Sequence, residues 1–249
     1  MIQTEDDESF FLENLTNTYI QPGTSPNEQI FRIAAMRTFK PYIKKPNGCA
    51  LEFGCSDGFM TSMIASEVDR LTVVDGSKTF INMAKKKIGN QVNFVHSLFE
   101  NFETEKKFDY IFACYVLEHV KDPIKFLKRA AGLLNKNGLL FIVVPNARAL
   151  SRQLARHMGL LDDLYSLTKN DIAHGHRRIY DRIILNGNIE SAGLNQINQG
   201  GLILKILADF QMDQLIKSNI LGEKQQEGLY KMGLEYPDLS GALFSICRK

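Results

Sequence analysis

The chain has 249 residues, enough for one α/β domain with a sizeable buried core. Thirty Lys and Arg against 28 Asp and Glu give a formal net charge of +2, which lacks the strongly basic balance of nonspecific nucleic-acid binders. The acidic N-terminus is unlike a signal peptide, no apolar stretch is long enough for a membrane span, and the four cysteines form no CxxC pair. We expect a cytoplasmic protein without a membrane partner, a disulfide framework or a zinc site.

Residues 1–47 have the pattern of a helical N-terminal arm or lid, interrupted by prolines at 22–26 and closed by Pro46-Asn-Gly48. Residues 48–249 form the main domain. Short apolar runs there alternate with segments of helical periodicity, which predicts an α/β fold with a mostly parallel sheet and helices on both faces. The first five runs cover 49–53, 71–74, 92–95, 108–116 and 139–144.

The alternation loosens after the fifth run. Asn135-Lys-Asn-Gly138 predicts a helix end before that run, because glycine accepts the left-handed conformation. We expect inserts at about 147–178 and 207–238 to lie over the substrate pocket, the second also being a candidate dimer contact. The remaining predicted elements are helices at 147–161 and 181–192 and strands at 201–206 and 242–247.

The most informative segment is Leu51-Glu-Phe-Gly-Cys-Ser-Asp-Gly58, a strand that enters a glycine-containing turn and opens a helix. Gly54 and Gly58 let the backbone approach a ligand, and the helix N-terminus offers free N–H groups. Glu52 and Asp57 make the turn acidic, which disfavours a pyrophosphate and favours a cation. The GxGxxG order of nicotinamide enzymes is absent. S-adenosylmethionine, with its ammonium and sulfonium groups, suits this turn better than a dinucleotide does.

Two later segments fit an adenosine ligand. Asp75 ends the second apolar run, where an acid in doubly wound folds accepts both ribose hydroxyls, in nicotinamide enzymes as well. Just past the third run, His96-Ser-Leu-Phe-Glu100 offers a backbone N–H and the apolar side chains of Leu98 and Phe99 to the adenine.

In their order and spacing these motifs resemble the core of class I S-adenosylmethionine-dependent methyltransferases, in particular small-molecule enzymes of carbohydrate and secondary-metabolite pathways. The likeness runs from about Gly48 to Asn146. It implies a Rossmann-like, seven-stranded sheet whose last strand is antiparallel, and S-adenosylmethionine as cofactor with S-adenosylhomocysteine as product. Members of this family often carry glycine where this chain has Ser56.

The resemblance and the motifs together predict the cofactor contacts. They lie on the first turn, at the ends of the second and third strands, and after the fourth strand. The predicted residues are Glu52, Phe53, Gly54, Cys55, Ser56, Gly58, Asp75, Gly76, Ser77, Ser97, Leu98, Phe99, Cys114, Tyr115 and His119.

Methyl transfer from a sulfonium is an in-line displacement, so catalysis can come largely from positioning, with a base for a hydroxyl acceptor. His119 follows the fourth strand and is a candidate base or part of the site wall. A metal ion held by Glu118 and His119 would lack evident further ligands, so we predict no metal site.

The segment Asp171-Ile-Ala-His-Gly-His-Arg-Arg-Ile-Tyr-Asp181 is rich in polar groups. Its two histidines are alternative bases, and its arginines suit a phosphate or carboxylate because the guanidinium donates two parallel hydrogen bonds. In the alternative, the arginines pair with Asp171 and Asp181 and hold the loop. The residues predicted to be catalytic are His119, His174 and His176, and those predicted to bind substrate are Tyr115, Asn146, His174, His176, Arg177, Arg178 and Tyr180.

We therefore predict an enzyme that methylates an oxygen or nitrogen of a small, anionic metabolite, such as a sugar nucleotide or a surface-glycan precursor. Three alternatives stay open: a methyltransferase of tRNA or protein, a nicotinamide-dependent oxidoreductase, and a noncatalytic module of the same fold. We expect a small-molecule acceptor and no nucleic-acid partner, and a homodimer stays open.

Overall fold

The computed structural model describes residues 5–19, 25–44, 48–89 and 91–249. Seven strands form one sheet: β1 (Cys49–Phe53), β2 (Arg70–Asp75), β3 (Asn93–His96), β4 (Phe108–Cys114), β5 (Leu134–Pro145), β6 (Asn195–Leu202) and β7 (Ala242–Arg248). Their order is β3-β2-β1-β4-β5-β7-β6, and β1 to β5 are parallel. β7 is antiparallel to both of its neighbours. The predicted Rossmann-like sheet with its antiparallel last strand is confirmed.

Helices cover both faces of the sheet, which separates two hydrophobic clusters. One cluster contains the buried side chains of α5 and α8, and the other contains those of α2, α3 and α4. The α-helices of the described residues are α1 (Glu5–Tyr19), α2 (Pro26–Phe39), α3 (Phe59–Ala65), α4 (Lys78–Ile88), α5 (Pro123–Leu133), α6 (Leu150–His157), α7 (Lys169–Ala173), α8 (Arg182–Ser191), α9 (Asp209–Lys217) and α10 (Glu223–Glu235).

The two helices of the predicted N-terminal arm have different roles. α2 is part of the core, since Phe39 is fully buried and its ring lies 4.8 Å from that of Phe141. α1 packs against α4 at the edge of the functional cavity described below. The predicted interruption at 22–26 lies partly outside the described residues, which resume at Ser25, and residues 45–47 lie outside them altogether.

β6 begins at Asn195, six residues before the predicted start of the strand. Its first half is polar and partly exposed, which a strand at the edge of a sheet tolerates, so it gives no apolar signal in the sequence. Ile203 has a φ of +45°, and the strand ends just before it. The prediction of 201–206 therefore identified the buried end of the strand and missed its beginning.

The predicted helix stop at 135–138 is wrong in detail. α5 ends at Leu133 and the chain continues directly into β5. The left-handed residue is Asn137, with a φ of +67°, and Gly138 is needed for a close approach, because a Cβ there would lie 2.9 Å from the carbonyl oxygen of Phe108. The absence of a side chain at Gly138 thus lets β5 pair with β4 where the register between the two strands shifts, between Phe108 and Tyr110.

The importance of α2 for the core is testable. Phe39→Ala removes a buried ring, and we expect it to lower the free energy of unfolding by about 3–5 kcal/mol. Phe10→Ala, at a ring that is 72% exposed, is the matched control and should change it by less than about 0.5 kcal/mol. Urea unfolding measures both. Equal effects of the two variants would contradict the placement of α2 in the core.

Candidate active site

The carboxyl ends of β1, β2 and β4 open into a cavity of about 830 Å³. Its wall includes the glycine turn after β1 and the segment around His174 and His176. α1, α2, α6 and α9 also contribute residues to the wall. Residues of both predicted inserts border this cavity, and their position over a substrate pocket stays a prediction.

The turn between β1 and α3 contains three residues with positive φ: Gly54 at +79°, Ser56 at +46° and Gly58 at +79°. Asp75 holds this turn, since its Oδ2 accepts the N–H of Cys55 at 2.8 Å and its Oδ1 accepts the N–H of Ser77 at 2.8 Å. A left-handed conformation costs a residue with a Cβ about 1–2 kcal/mol. This cost explains physically why the related turns often have glycine at the position of Ser56.

Glu52 lies on the wall of the cavity at the end of β1. It is buried, and its Oε2 atom has no hydrogen-bond partner among the described residues. Burial raises the pKa of Glu52 to about 8. A buried acid in this state is stabilised as an anion only when a cation approaches it.

Most of the predicted cofactor residues lie on the cavity wall, and three do not. Phe53 packs edge-to-face on Phe99 in the core. Gly58 begins α3, where a Cβ would lie 2.8 Å from the Cα of Ala84. Ser97 donates its N–H to the carbonyl of Asp75. The predicted residues on the wall are Glu52, Gly54, Cys55, Ser56, Asp75, Gly76, Ser77, Leu98, Phe99, Cys114, Tyr115 and His119.

α1 contacts both ends of the cavity. Near the turn, Glu13 accepts the N–H of Lys78 at 2.6 Å and the hydroxyl of Ser77 at 3.1 Å. Near the other end, a Cβ on Gly175 would lie 2.6 Å from the side chain of Leu15, and Tyr19 donates its hydroxyl to the carbonyl of His174 at 3.3 Å. The helix therefore fits against the backbone at both ends.

Glu118, His119 and His176 come together on the wall of the cavity. Glu118 is fully buried, neither of its carboxylate oxygens has a hydrogen-bond partner among the described residues, and burial raises its pKa to about 7. The rings of His119 and His176 are 4.9 Å apart. Burial, together with the nearby His176, lowers the pKa of His119 to about 3, so that this imidazole is neutral.

Asp171 orients His176. Its Oδ1 lies 3.2 Å from Nδ1 of His176, at an angle that makes this an ion-pair contact and not a straight hydrogen bond. Its Oδ2 accepts the N–H and hydroxyl of Thr168 and contacts Arg152. Burial alone would raise the pKa of Asp171 and lower that of His176. The contacts outweigh burial, so the pKa of Asp171 is lowered and that of His176 is raised.

The two arginines of the predicted anion site do not line the cavity. Arg177 donates to a carboxylate oxygen of Glu8 at 2.8 Å and to the carbonyl of His119 at 2.7 Å. Arg178 donates to the carbonyls of Leu117, Val120 and Lys121. Both guanidinium groups are thus engaged with the protein, in contacts that do not support anion binding.

The alternative pairing with Asp171 and Asp181 is also wrong. Asp171 pairs with Arg152 and His176, as described. Asp181 accepts the N–H of Ile184 at the start of α8 and the hydroxyl of Tyr165. The arginines hold the loop as that alternative expected, but through Glu8 and backbone carbonyls.

The remaining predicted substrate residues divide between wall and core. Tyr180 is fully buried, donates to the carbonyl of Leu117 and does not line the cavity. Asn146 lies on the wall, but its amide donates to three carbonyls of residues 237–240. Tyr115 and His174 lie on the wall, and His174 contacts the carbonyl of Asn170 through Nδ1.

Sequence reasoning considered Glu118 beside His119 as a possible metal ligand but left it out of the predicted site residues, and it did not identify Asp171 as the partner of His176. The adjacent Glu118 and His119 gave a partial signal, but their third neighbour follows 57 residues after His119 and is brought close only by the fold. The apolar contacts of α1 left no recognisable pattern in the sequence.

Among the described residues, no helix combines the length and apolar character needed to cross a membrane.

Comparisons with known proteins agree with this architecture. A family model described as a methyltransferase domain matches residues 28–199. The ubiquinone biosynthesis O-methyltransferase of Pelagibacter ubique is 32% identical over 99 residues, which are 39% of this chain and 41% of that protein. Its counterpart in Bradyrhizobium diazoefficiens is 30% identical over 131 residues, which are 50% of this chain and 52% of that protein. This chain thus matches about half or less of the length of these relatives.

Two solved structures share the fold over nearly the whole chain. The N-methyltransferase NodS from Bradyrhizobium japonicum WM9, in complex with S-adenosyl-L-homocysteine, has a TM-score of 0.59 and 14% identity and covers 95% of this chain and 98% of its own. The CcbJ methyltransferase from Streptomyces caelestis has a TM-score of 0.63 and 14% identity, and the match covers 97% of this chain and 98% of that protein. At these identities the likeness supports the fold alone.

The raised pKa of Glu52 predicts proton release on ligand binding. At pH 6.5 the carboxyl group holds a proton, which must leave before it can pair with a ligand ammonium group. S-adenosylhomocysteine should therefore bind more tightly as the pH rises from 6 toward 8, by up to about tenfold per unit. Titration calorimetry in buffers of different ionisation enthalpy measures the number of protons released for each S-adenosylhomocysteine bound.

Glu52→Gln should abolish this proton release, and Glu190→Gln, at an exposed position, should keep it. Binding to the unmodified protein at pH 6.5 without proton release would contradict a cation site at Glu52.

The contacts of Arg177 predict an effect on α1. Arg177→Ala removes the hydrogen bond to Glu8, so the amides of α1 should exchange faster, and S-adenosylhomocysteine should bind about three- to tenfold more weakly, the equivalent of about 1 kcal/mol. Arg156→Ala, at an exposed position, is the control. Hydrogen exchange and calorimetry measure the two effects. Unchanged exchange in α1, with only a higher KM for an anionic acceptor, would favour the original anion-site hypothesis.

Proposed function

The chain belongs to the methyltransferase-domain family, and from this we propose that it transfers a methyl group from S-adenosylmethionine to an oxygen of a small acceptor. One observation carries the proposal: a single cavity joins the acidic glycine turn to the cluster of Glu118, His119 and His176. Its volume of about 830 Å³ lies toward the upper part of the range of about 300–1,000 Å³ for small-molecule sites. Such a cavity has room for a cofactor beside a small acceptor.

We assign the cofactor to the end of the cavity at β1 and β2. Glu52 would pair with its ammonium group, since the unpartnered Oε2 needs a cation or donor. Asp75 would accept the ribose hydroxyls with lone pairs that its two backbone N–H bonds leave free. Leu98 and Phe99 would flank the adenine. When bound, S-adenosylmethionine supplies a methyl group on a positively charged sulfur and leaves as S-adenosylhomocysteine.

The charges around the cavity argue for a cationic cofactor and against an anionic acceptor. Among the described residues of its wall are ten carboxyl groups and three Lys or Arg side chains. All three already pair with carboxylates: Arg32 with Glu28 and Asp57, Arg152 with Asp171, and Lys205 with Asp209. Arg177 and Arg178 do not line the cavity, so few positive side chains are available there to bind the phosphate groups of a sugar nucleotide or another anionic glycan precursor. We therefore propose a neutral or cationic acceptor.

The cluster of Glu118, His119 and His176 would face the reacting oxygen. A hydroxyl oxygen is a weak nucleophile until it loses its proton, and these side chains would orient the hydroxyl and draw off that proton. Asp171 would act as a positioning residue through its contact with His176. The names of the relatives, which are O-methyltransferases, favour oxygen over nitrogen as the accepting atom.

Binding measurements test this proposal. The protein should bind S-adenosylhomocysteine and should not bind NADH, because the acidic turn repels a pyrophosphate. Methyl transfer to a panel of small phenols, alcohols and amines, followed through the S-adenosylhomocysteine formed, should then identify the acceptor class. Binding of NADH but not of S-adenosylhomocysteine would replace the proposal with an oxidoreductase.

Glu118→Gln separates chemistry from cofactor binding. It keeps the shape of the side chain and removes its charge, so kcat should fall by about 10²- to 10⁴-fold. The dissociation constant of S-adenosylhomocysteine should change less than about threefold, because we assign the cofactor to the turn after β1 and the acceptor to the cluster that contains Glu118. His157→Asn, at an exposed position on α6, should retain full activity. Full activity of Glu118→Gln would remove the cluster from the reaction.

A further inference from the structure

We infer that Glu118, His119 and His176 form a binding site for a divalent transition-metal cation. The inference rests on the proposed function in one respect, because the ion would face the same acceptor. Each residue offers one ligand atom, and these atoms all lie within 4.8 Å of one another. Bonds from such ions to nitrogen and oxygen are about 2.0–2.2 Å long, so two ligand atoms of one ion lie at most about 4.4 Å apart, and the side chains would draw closer together around an ion.

The carboxylate is the strongest evidence. Glu118 is fully buried with both oxygens unpartnered among the described residues, and it lies on the cavity wall. Leaving a buried carboxylate without a partner costs several kcal/mol, which is rare in a folded protein unless something else compensates it. Protonation would remove the charge but would leave the new O–H and the second oxygen without partners. A bound cation satisfies both oxygens at once.

Both imidazoles are also arranged as metal ligands commonly are. Nδ1 of His119 faces the carbonyl of Gly175 at 3.3 Å, and Nδ1 of His176 faces Oδ1 of Asp171 at 3.2 Å. Ligand histidines usually donate one ring N–H to a carbonyl or carboxylate and bind the metal through the other nitrogen. We assign the proton of both rings to Nδ1, although the contact of His176 is an ion pair and not a straight hydrogen bond, so that Nε2 would bind the ion.

The outer contacts make the arrangement rigid. Asp171 is itself held by Thr168 and Arg152, so the ring of His176 has a supported orientation. The carbonyl of Gly175 belongs to a turn that is packed against Leu15 of α1. An ion site needs such supports, because its geometry must be kept within a few tenths of an ångström.

The ligand set indicates the class of metal. Two imidazoles and one carboxylate suit zinc, iron or cobalt better than magnesium or calcium, which prefer oxygen ligands. Three protein ligands leave coordination positions open on the cavity side, where the acceptor would bind.

The ion would act as a Lewis acid on the acceptor hydroxyl. An ion held by Glu118, His119 and His176 would ease the loss of the hydroxyl proton to water and so make the oxygen a better nucleophile. In the transfer the oxygen–carbon bond would form as the carbon–sulfur bond breaks, with its electron pair left on sulfur, to give the methyl ether and neutral S-adenosylhomocysteine.

Cobalt titration tests the site directly. Protein treated with a chelator and then dialysed should bind one Co²⁺ per chain, with visible absorption bands of cobalt in a nitrogen and oxygen environment. Added Zn²⁺ should displace the cobalt, and millimolar Mg²⁺ should not. Absence of one-to-one Co²⁺ binding by the unmodified protein would overturn the inference, whatever the variants do.

Two variants locate the site. Glu118→Gln and His176→Asn should each weaken Co²⁺ binding at least tenfold, and His174→Asn, on the same loop, should leave it unchanged. S-adenosylhomocysteine binding, measured on the same samples, shows that the variants are folded. Equal cobalt affinity in all variants would overturn the site.

These measurements separate the two proposals. If cobalt is not bound but S-adenosylhomocysteine is, the metal inference fails and the proposed function stands with the cluster acting on protons alone. If cobalt is bound and S-adenosylhomocysteine is not, the proposed function fails and the metal site stands.

Discussion

The carboxylate of Asp75 is the interaction on which the site depends. Its two oxygens accept backbone N–H groups from the turn after β1 and from the start of α4, so that the ends of two parallel strands are joined by one buried side chain. This anchoring lets Ser56 stay in a left-handed conformation despite its Cβ. Glu52, in the strand that leads into this turn, is thereby presented to the cavity.

Two buried carboxyl groups on the cavity wall share one electrostatic property. Glu52 and Glu118 both have raised pKa values and at least one oxygen without a hydrogen-bond partner among the described residues. Each arrangement is unfavourable for the charged carboxylate in the isolated chain and favourable beside a positive charge. The two proposals supply such a charge at each residue, an ammonium group at Glu52 and a metal ion at Glu118.

The strands and the first turn could be predicted from the sequence because local pattern determines them: buried parallel strands are continuous apolar runs, and the turn carries its glycines. β6 was placed too late, since an edge strand needs no apolar residues in its exposed half. The function of Arg177 was misjudged for a different reason. An arginine in a loop has the same sequence signature whether it faces a ligand or a distant carboxylate, and Glu8 lies 169 residues away in the chain. Glu118 and His176 are likewise neighbours only through the fold.

The double attachment of α1 has a kinetic consequence. Glu13 accepts the N–H of Lys78, and Tyr19 donates its hydroxyl to the carbonyl of His174. Because both contacts hold the same helix, a movement of α1 away from one of them would strain the other. Under the proposed function, S-adenosylhomocysteine and the methylated product would then both leave through one movement of α1.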